Sequence, residues 1–141
     1  MMYYAYSDAS TKYDSCAATS LILTDDKYVT CFTNVYEHVS SSMEAELLGV
    51  VQTMQYISQH CPASSKVVLL TDSKAIAVQY IRILSTWKVR EGCDFYEYYT
   101  KLLQYSAGFN VNVQHIRGHQ HTHNPNKVCD ILSKLYSSDM K

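Results

Sequence analysis

The chain begins with runs of residues that favour β-strands, separated by short polar stretches. Three such runs follow one another: Met2–Ser7, Ala17–Thr24 and Tyr28–Val35. The first run ends at Asp8 and is followed by a polar stretch, 9–16, while Asp25-Asp26-Lys27 separates the second run from the third. Because short polar turns join neighbouring antiparallel strands, this pattern predicts a three-stranded meander.

The period then changes to that of a helix. Six apolar residues recur at the spacing of one helical face: Met43, Leu47, Val50, Val51, Met54 and Ile57. Serines 40–42 precede the run as candidate caps, and Pro62 follows its end. The pattern predicts an amphipathic helix packed on the sheet.

A run of four apolar residues, 67–70, is typical of a buried central strand. Asp72 follows that run, and Ser73 can cap a helix that continues from Ala75 to Ile83. An acid at the carboxyl end of a strand in an α/β sheet lies where ligands usually bind. We therefore treat Asp72 as a candidate site residue.

The remaining segments complete an α/β pattern. They comprise a tyrosine-rich helix, 94–105, with Asp94 as its cap, a last strand, 110–115, a histidine-bearing polar loop, 117–124, and a final helix, 125–137. Since crossovers through helices join parallel strands, we expect one domain, 1–141, with a five-stranded mixed sheet of three antiparallel plus two parallel strands. About four helices flank this sheet.

The composition narrows the class of protein. Hydrophobic residues make up 47% and charged residues 18% of the 141 positions, which is typical of a folded globular domain. The net charge of −1 provides no overall basic field, so any nucleic-acid binding must depend on a local patch. Five widely spaced cysteines without a CxxC pair, no signal-like start and no long apolar run predict a soluble, cytoplasmic monomer without membrane association.

Asp8 and Asp72 follow two strands that the predicted topology makes parallel neighbours. Taken alone, each is more typical of a turn or cap residue. Taken together, they place two negative charges side by side, which is unfavourable unless a cation lies between them. Carboxylates that hold divalent cations are a common arrangement for displacement at phosphorus.

Four short motifs resemble type 1 ribonuclease H, in a compact form without a basic handle or a hybrid-binding domain. They are YSDAS around Asp8, AELLGV around Glu46, LLTDSKA around Asp72, and RGH followed by NPNKVCDILSK around His119 and Asp130. The motifs occur in the family's order and cover essentially the whole chain. The resemblance implies the ribonuclease H-like fold.

The resemblance also implies the residue roles and the reaction. Asp8, Glu46, Asp72 and Asp130 would bind two Mg²⁺ or Mn²⁺ ions, and His119 would assist proton transfer or product release. The implied activity is hydrolysis of the RNA strand of an RNA–DNA hybrid, leaving a 5′ phosphate and a 3′ hydroxyl.

The residues alone leave several assignments open. Glu44 and Glu46 lie on opposite shoulders of their helix, and the motif, in which the acid precedes an apolar pair, selects Glu46 and leaves Glu44 solvated. Asp130 lies off the apolar stripe of the final helix, which fits a cleft-facing ligand or a surface acid. Four clustered histidines form a less favoured zinc alternative: His115, His119, His121 and His123.

The candidate substrate contacts are Ser10, Ser41, Ser42, Lys74, Trp87, Lys88 and Arg117. Serines 41 and 42 occupy the place of an asparagine pair that contacts RNA in many members of the family, and Trp87-Lys88 is what remains where some members insert a basic handle. Two alternatives are a catalytically idle hybrid-binding module and another nuclease of the same fold, an exonuclease or a resolvase. Ser10 stands where the exonucleases carry a second acid.

Overall fold

The computed structural model describes residues 2–24 and 28–116, which form a sheet and three helices. The strands are β1 (Met2–Lys12), β2 (Ser15–Leu23), β3 (Tyr28–Tyr36), β4 (Lys66–Thr71) and β5 (Asn110–His115). The helices are α1 (Ser42–His60), α2 (Lys74–Thr86) and α3 (Tyr96–Ser106). Part of the prediction lies outside the described residues: the turn 25–27, the histidine loop and the final helix, and with them Arg117, His119 and Asp130.

The five strands form one mixed sheet in the order β3-β2-β1-β4-β5. Strands β1, β2 and β3 are antiparallel neighbours, whereas β4 is parallel to both β1 and β5. The predicted sheet of three antiparallel plus two parallel strands is therefore confirmed. None of the described helices has the length and apolar character needed to cross a membrane.

Strand β1 is longer than predicted from the polar stretch that follows Asp8. It was expected to end at Asp8, but it continues to Lys12 and pairs with β2 from Tyr4↔Leu23 to Lys12↔Ser15. The prediction was wrong because the ladder with β2 satisfies the backbone of residues 9–12, and this pairing outweighs their weak strand propensity. The turn shrinks to Tyr13 and Asp14, and Asp8 lies inside the strand rather than at its end.

Helix α1 packs on β1 and β2 and forms one wall of the core. Its buried stripe includes Leu47, Val50, Met54 and Ile57, as predicted. Strand β4 contributes Val67 and Leu69 to the core, whereas Val68 and Leu70 on its other face are only partly buried among the described residues. The four-residue apolar run is thus a central strand whose two faces differ in burial.

A buried polar network fixes α1 on the sheet. The Gln52 side-chain amide donates to the Ala18 carbonyl and to Ser20 Oγ, both at 2.9 Å. Its carbonyl oxygen accepts from Asn34 Nδ2 at 3.1 Å and from the Tyr36 hydroxyl at 2.7 Å. One side chain therefore joins α1 to β2 and β3, and these bonds compensate for its burial.

Serine caps begin two of the helices. Ser41 Oγ accepts from the Glu44 backbone N–H at 3.1 Å, and Ser73 Oγ accepts from that of Ile76 at 3.3 Å. The predicted cap of α3 was wrong: the N-cap is Phe95, in the left-handed region at φ 60°, with no side-chain cap bond, rather than Asp94. The backbone of Phe95 makes the turn that leads into α3, so Asp94, one residue earlier, is not at the capping position.

Candidate metal centre

Three of the four predicted acids come together at one edge of the sheet. The β1–β4 ladder pairs Met2 with Lys66 and Tyr6 with Leu70, and the same offset brings Asp8 level with Asp72 just beyond β4. Glu46 reaches the same place from the N-terminal part of α1. One carboxylate oxygen from each of the three residues lies within 4.8 Å of the other two. The fourth predicted ligand, Asp130, lies outside the described residues.

Within the cluster, Glu46 has a strongly raised pKa. Burial, followed by the neighbouring carboxylates of Asp8 and Asp72, raises the pKa of Glu46 to about 9. A backbone N–H compensates part of the local charge, since Ala9 N donates to Asp8 Oδ1 at 2.9 Å. At neutral pH the Glu46 carboxyl therefore keeps its proton unless a positive charge replaces it.

The cluster fits a divalent metal ion. All three side chains offer carboxylate oxygen, the ligand that Mg²⁺ and Mn²⁺ prefer. Burial, followed by the nearby carboxylates of Asp8 and Asp72, disfavours the charged form of Glu46, and a bound cation would offset both effects. No other group of three or more His, Cys, Asp or Glu side chains within residues 2–24 and 28–116 is close enough to hold an ion.

Glu44 has a different environment, two residues earlier on α1. One of its carboxylate oxygens accepts from the Ser40 backbone N–H at 2.6 Å and from Ser40 Oγ at 2.9 Å, and the other accepts from the Tyr98 hydroxyl at 2.7 Å. These bonds, led by that from the Ser40 backbone, lower the pKa of Glu44. Glu44 is still partly exposed, as expected, but its carboxylate also connects the start of α1 to α3. Glu46 is the member of the cluster.

His115 is a neighbour of the cluster whose role the sequence did not indicate. Its Nε2 lies 3.2 Å from the Asp72 carbonyl oxygen, and its backbone pairs with Thr71 at the end of the β4–β5 ladder. Sequence reasoning considered His115 only as a zinc ligand. The predicted parallel pairing of the last strand with β4 could have indicated that His115 lies beside Asp72.

The predicted substrate contacts fall into two regions. Ser10, Ser41, Ser42 and Lys74 each lie within five positions of a cluster acid along the chain, and Ser41, Ser42 and Lys74 are exposed. Trp87 and Lys88 lie at the opposite end of α2, about 20 Å along the helix axis from Lys74. The structure therefore does not bring these two residues to the acids.

A basic cleft adjoins the far end of α2. Its volume is about 590 Å³, and its lining includes Arg82, Lys88 and Arg90 as well as Glu91 and Asp94. Three cationic side chains stand against two acidic ones there, so the cleft has an excess of only one positive charge. Trp87 stands beside this cleft, 52% exposed, in the left-handed region at φ 54°.

Comparisons with known proteins agree with this fold. The model of the RNase H family matches residues 2–138 of the chain. No curated protein sequence matches it.

Solved structures share the fold at low sequence identity. The RNase H1 of the halophilic archaeon Halobacterium salinarum superposes with a TM-score of 0.77 at 14% identity, covering 100% of both chains. The N-terminal RNase H domain of Rv2228c from Mycobacterium tuberculosis gives 0.77 at 14% identity, covering 98% of this chain and 94% of that one. A foamy viral protease-reverse transcriptase in complex with an RNA/DNA hybrid gives 0.65 at 12% identity, covering 96% of this chain and 20% of that one. At such identities these likenesses establish the fold alone.

Proposed function

Because the chain belongs to the RNase H family, we propose that it is a compact type 1 ribonuclease H that hydrolyses the RNA strand of RNA–DNA hybrids. The observation that carries this proposal is the set of three carboxylates within 4.8 Å of one another. The compact form is supported by the connection between α2 and α3, which spans only residues 87–95 and leaves no room for an inserted handle. We also propose that residues 1–141 act as a single catalytic domain in the cytoplasm.

Asp8, Glu46 and Asp72 would hold two Mg²⁺ or Mn²⁺ ions, with Asp130 as a fourth ligand from outside the described residues. Bound ions of this kind activate the attacking water and stabilise the leaving oxygen, and the products would carry a 5′ phosphate and a 3′ hydroxyl. His119 would move a proton or assist product release, so His119→Ala should slow turnover without abolishing it.

The chain's own groups support this chemistry. The Ala9 backbone N–H orients the Asp8 carboxylate, and His115 contacts the carbonyl of Asp72. Ser42, exposed at the start of α1, would bond a 2′-hydroxyl, the group that distinguishes RNA from DNA. Lys74, exposed at the start of α2, would contact a phosphate. The hybrid bound in the foamy viral structure supports this choice of substrate.

The activity is tested with labelled RNA–DNA hybrid, duplex DNA and duplex RNA, each with and without Mg²⁺. We expect cleavage of the hybrid's RNA strand alone, only with Mg²⁺, with 5′-phosphate and 3′-hydroxyl ends. Asp72→Asn should abolish cleavage while leaving the circular dichroism spectrum unchanged. Hybrid binding without cleavage by the unmodified chain would instead identify an idle binding module.

Glu44→Gln is a matched control for Glu46→Gln. Both variants remove one carboxylate from the first part of α1, but only Glu46 belongs to the cluster. We expect Glu46→Gln to lose at least about 100-fold in kcat, on the scale that one strong electrostatic contact to a transition state contributes. Glu44→Gln should retain activity. Equal loss in both variants, or cleavage by Asp72→Asn, would contradict the assignment.

A further inference from the structure

Strand β3 forms one edge of the sheet and has an unusual composition for an edge. It pairs with β2 on one side, and no described strand pairs with its other side. Its nine residues, YVTCFTNVY, include no charged residue and no proline. The only irregularity in its pairing lies opposite its first residues, between Ile22 and Leu23. Natural edge strands are usually protected from pairing by charges, prolines or bulges, and most of β3 has none of these.

The sequence of β3 is close to a palindrome centred on Phe32. An antiparallel pairing of two such strands about Phe32 sets each residue opposite one of similar kind in the second copy: Tyr28 opposite Tyr36, Val29 opposite Val35, Thr30 opposite Asn34, Cys31 opposite Thr33, and Phe32 opposite itself. Such aromatic, β-branched and polar pairs are the favourable cross-strand pairs of antiparallel sheets. No like charges meet in this register.

We propose that β3 is a homodimerisation edge, which joins two copies of this chain through antiparallel β3–β3 pairing about Phe32. A two-fold interface of this kind uses the same patch on both copies and closes on itself, as symmetric dimers require. The proposal does not depend on the nuclease activity, and it departs from the monomer that the sequence analysis predicted.

Within residues 2–24 and 28–116, the packing around β3 leaves room for the second copy. Helix α1 packs mainly on β1 and β2 and reaches β3 through the side chain of Gln52. Tyr56 of α1 reaches Phe32, with their ring centroids 5.4 Å apart, and His60 continues the aromatic row at 4.3 Å from Tyr56. In the dimer, the Phe32 rings of the two copies would adjoin at the axis. Val35, which is 48% exposed, would gain an apolar neighbour in Val29 of the second copy.

The pairing also leaves the carboxylate cluster accessible. Asp8 lies on β1, two strand spacings or about 10 Å from β3. Asp8 is level with Thr19 and Thr33 across the ladders, next to the axis at Phe32, so the two clusters would lie nearly level with each other, five strand spacings or about 24 Å apart.

The test compares two variants by sedimentation equilibrium over a concentration series of the full chain. Thr30→Lys with Asn34→Lys places like charges opposite each other on both sides of the axis, whereas Thr30→Lys with Asn34→Glu places opposite charges there. Both variants lose the bond from Asn34 to Gln52, so that loss cancels in the comparison. We expect the unmodified chain to dimerise, and we expect the Lys–Glu variant to associate at least about tenfold more tightly than the Lys–Lys variant. A monomeric unmodified chain throughout the series, or equal association of the two variants, would overturn the proposal.

Disulfide trapping gives a second measurement with a near-native strand. Cys31 is a free, partly buried thiol, and Thr33→Cys would give it a partner across the axis. Oxidation should yield dimers linked between Cys31 of one copy and the cysteine introduced at position 33 of the other, identified by peptide mapping. The same substitution in a Cys31→Ser background should not yield that link. Absence of the link in the first variant would count against pairing about Phe32.

Discussion

Gly49 lies in the middle of α1, where glycine is less favourable than any residue except proline. A close approach of helix and sheet would explain a glycine there, but the geometry does not require one. A Cβ added at Gly49 would lie 3.6 Å from Ser7 Cβ and 3.7 Å from both Ala18 Cβ and the Asp8 carbonyl oxygen, which are ordinary contact distances. The position therefore has room for a methyl group.

Gly49→Ala should stabilise the protein by about 0.5–1 kcal/mol, because alanine loses less backbone entropy in a helix. Urea unfolding measures the change. Ala45→Gly, at another buried position of the same helix, is the reciprocal control and should destabilise by at least that amount. A loss of stability in Gly49→Ala would show that the sheet approaches α1 more closely than these distances indicate.

At the same scale, Glu44 and Glu46 show what the sequence could and could not predict. The motif selected Glu46, and the structure places it in the cluster with Asp8 and Asp72. Helical periodicity alone could not make this choice, because Glu44 and Glu46 lie on opposite shoulders of the apolar stripe of α1. The role of Glu44 depends on Tyr98, a residue of another helix, and no local pattern encodes that contact.

At the scale of elements, the sequence predicted the bounds of a helix or strand well where those bounds depend only on nearby residues. The caps Ser41 and Ser73 and the strand Asn110–His115 agree with the structure. The end of β1 was predicted too early because pairing with β2 is a long-range effect. Gln52 was not identified at all, since it interrupts the apolar stripe of α1 and its partners lie on two other strands.

Gln52→Leu should destabilise the fold by about 2–3 kcal/mol, because several buried polar partners lose their hydrogen bonds at once. Gln55→Leu, at an exposed position of the same helix, is the matched control and should change stability little. A double-mutant cycle with Tyr36→Phe would isolate the bond from the Tyr36 hydroxyl. Additive effects in that cycle would contradict the view that this bond stabilises the network.

At the scale of the whole molecule, the order of strands and helices predicted that Asp8 and Asp72 would be neighbours. The rule that crossover connections join parallel strands was sufficient for this, and the β1–β4 ladder confirms it. The raised pKa of Glu46 could not be predicted, because it depends on burial and on distances that only the packed structure sets. The place of Asp130 stays a prediction.

The cluster should make the stability of the metal-free protein depend on pH. In the folded state Glu46 keeps its proton up to a pKa of about 9, whereas in the unfolded chain it ionises near 4.5. The folded state therefore binds more protons between these values, and the free energy of unfolding falls as pH rises through that window. Melting temperatures in EDTA at pH 5, 7 and 9 should decrease in that order.

Glu46→Gln should flatten this pH dependence, because the variant has no carboxyl to ionise at that position. In the unmodified chain, Mg²⁺ should restore stability at high pH, since an ion that binds only the folded state stabilises it. Melting temperatures in EDTA that are constant or that rise with pH would contradict the environment described for Glu46.

The extension of β1 beyond Asp8 has a consequence for how the cluster meets its ions. A carboxylate on a loop must be immobilised when it coordinates a cation, and the lost freedom weakens binding. Asp8 is instead held within a ladder, opposite Thr19, before any ion arrives. On a flexible loop, Asp8 could move away from the other two acids and so reduce their mutual repulsion. Because the strand holds Asp8 in place, that repulsion is reduced when a cation binds.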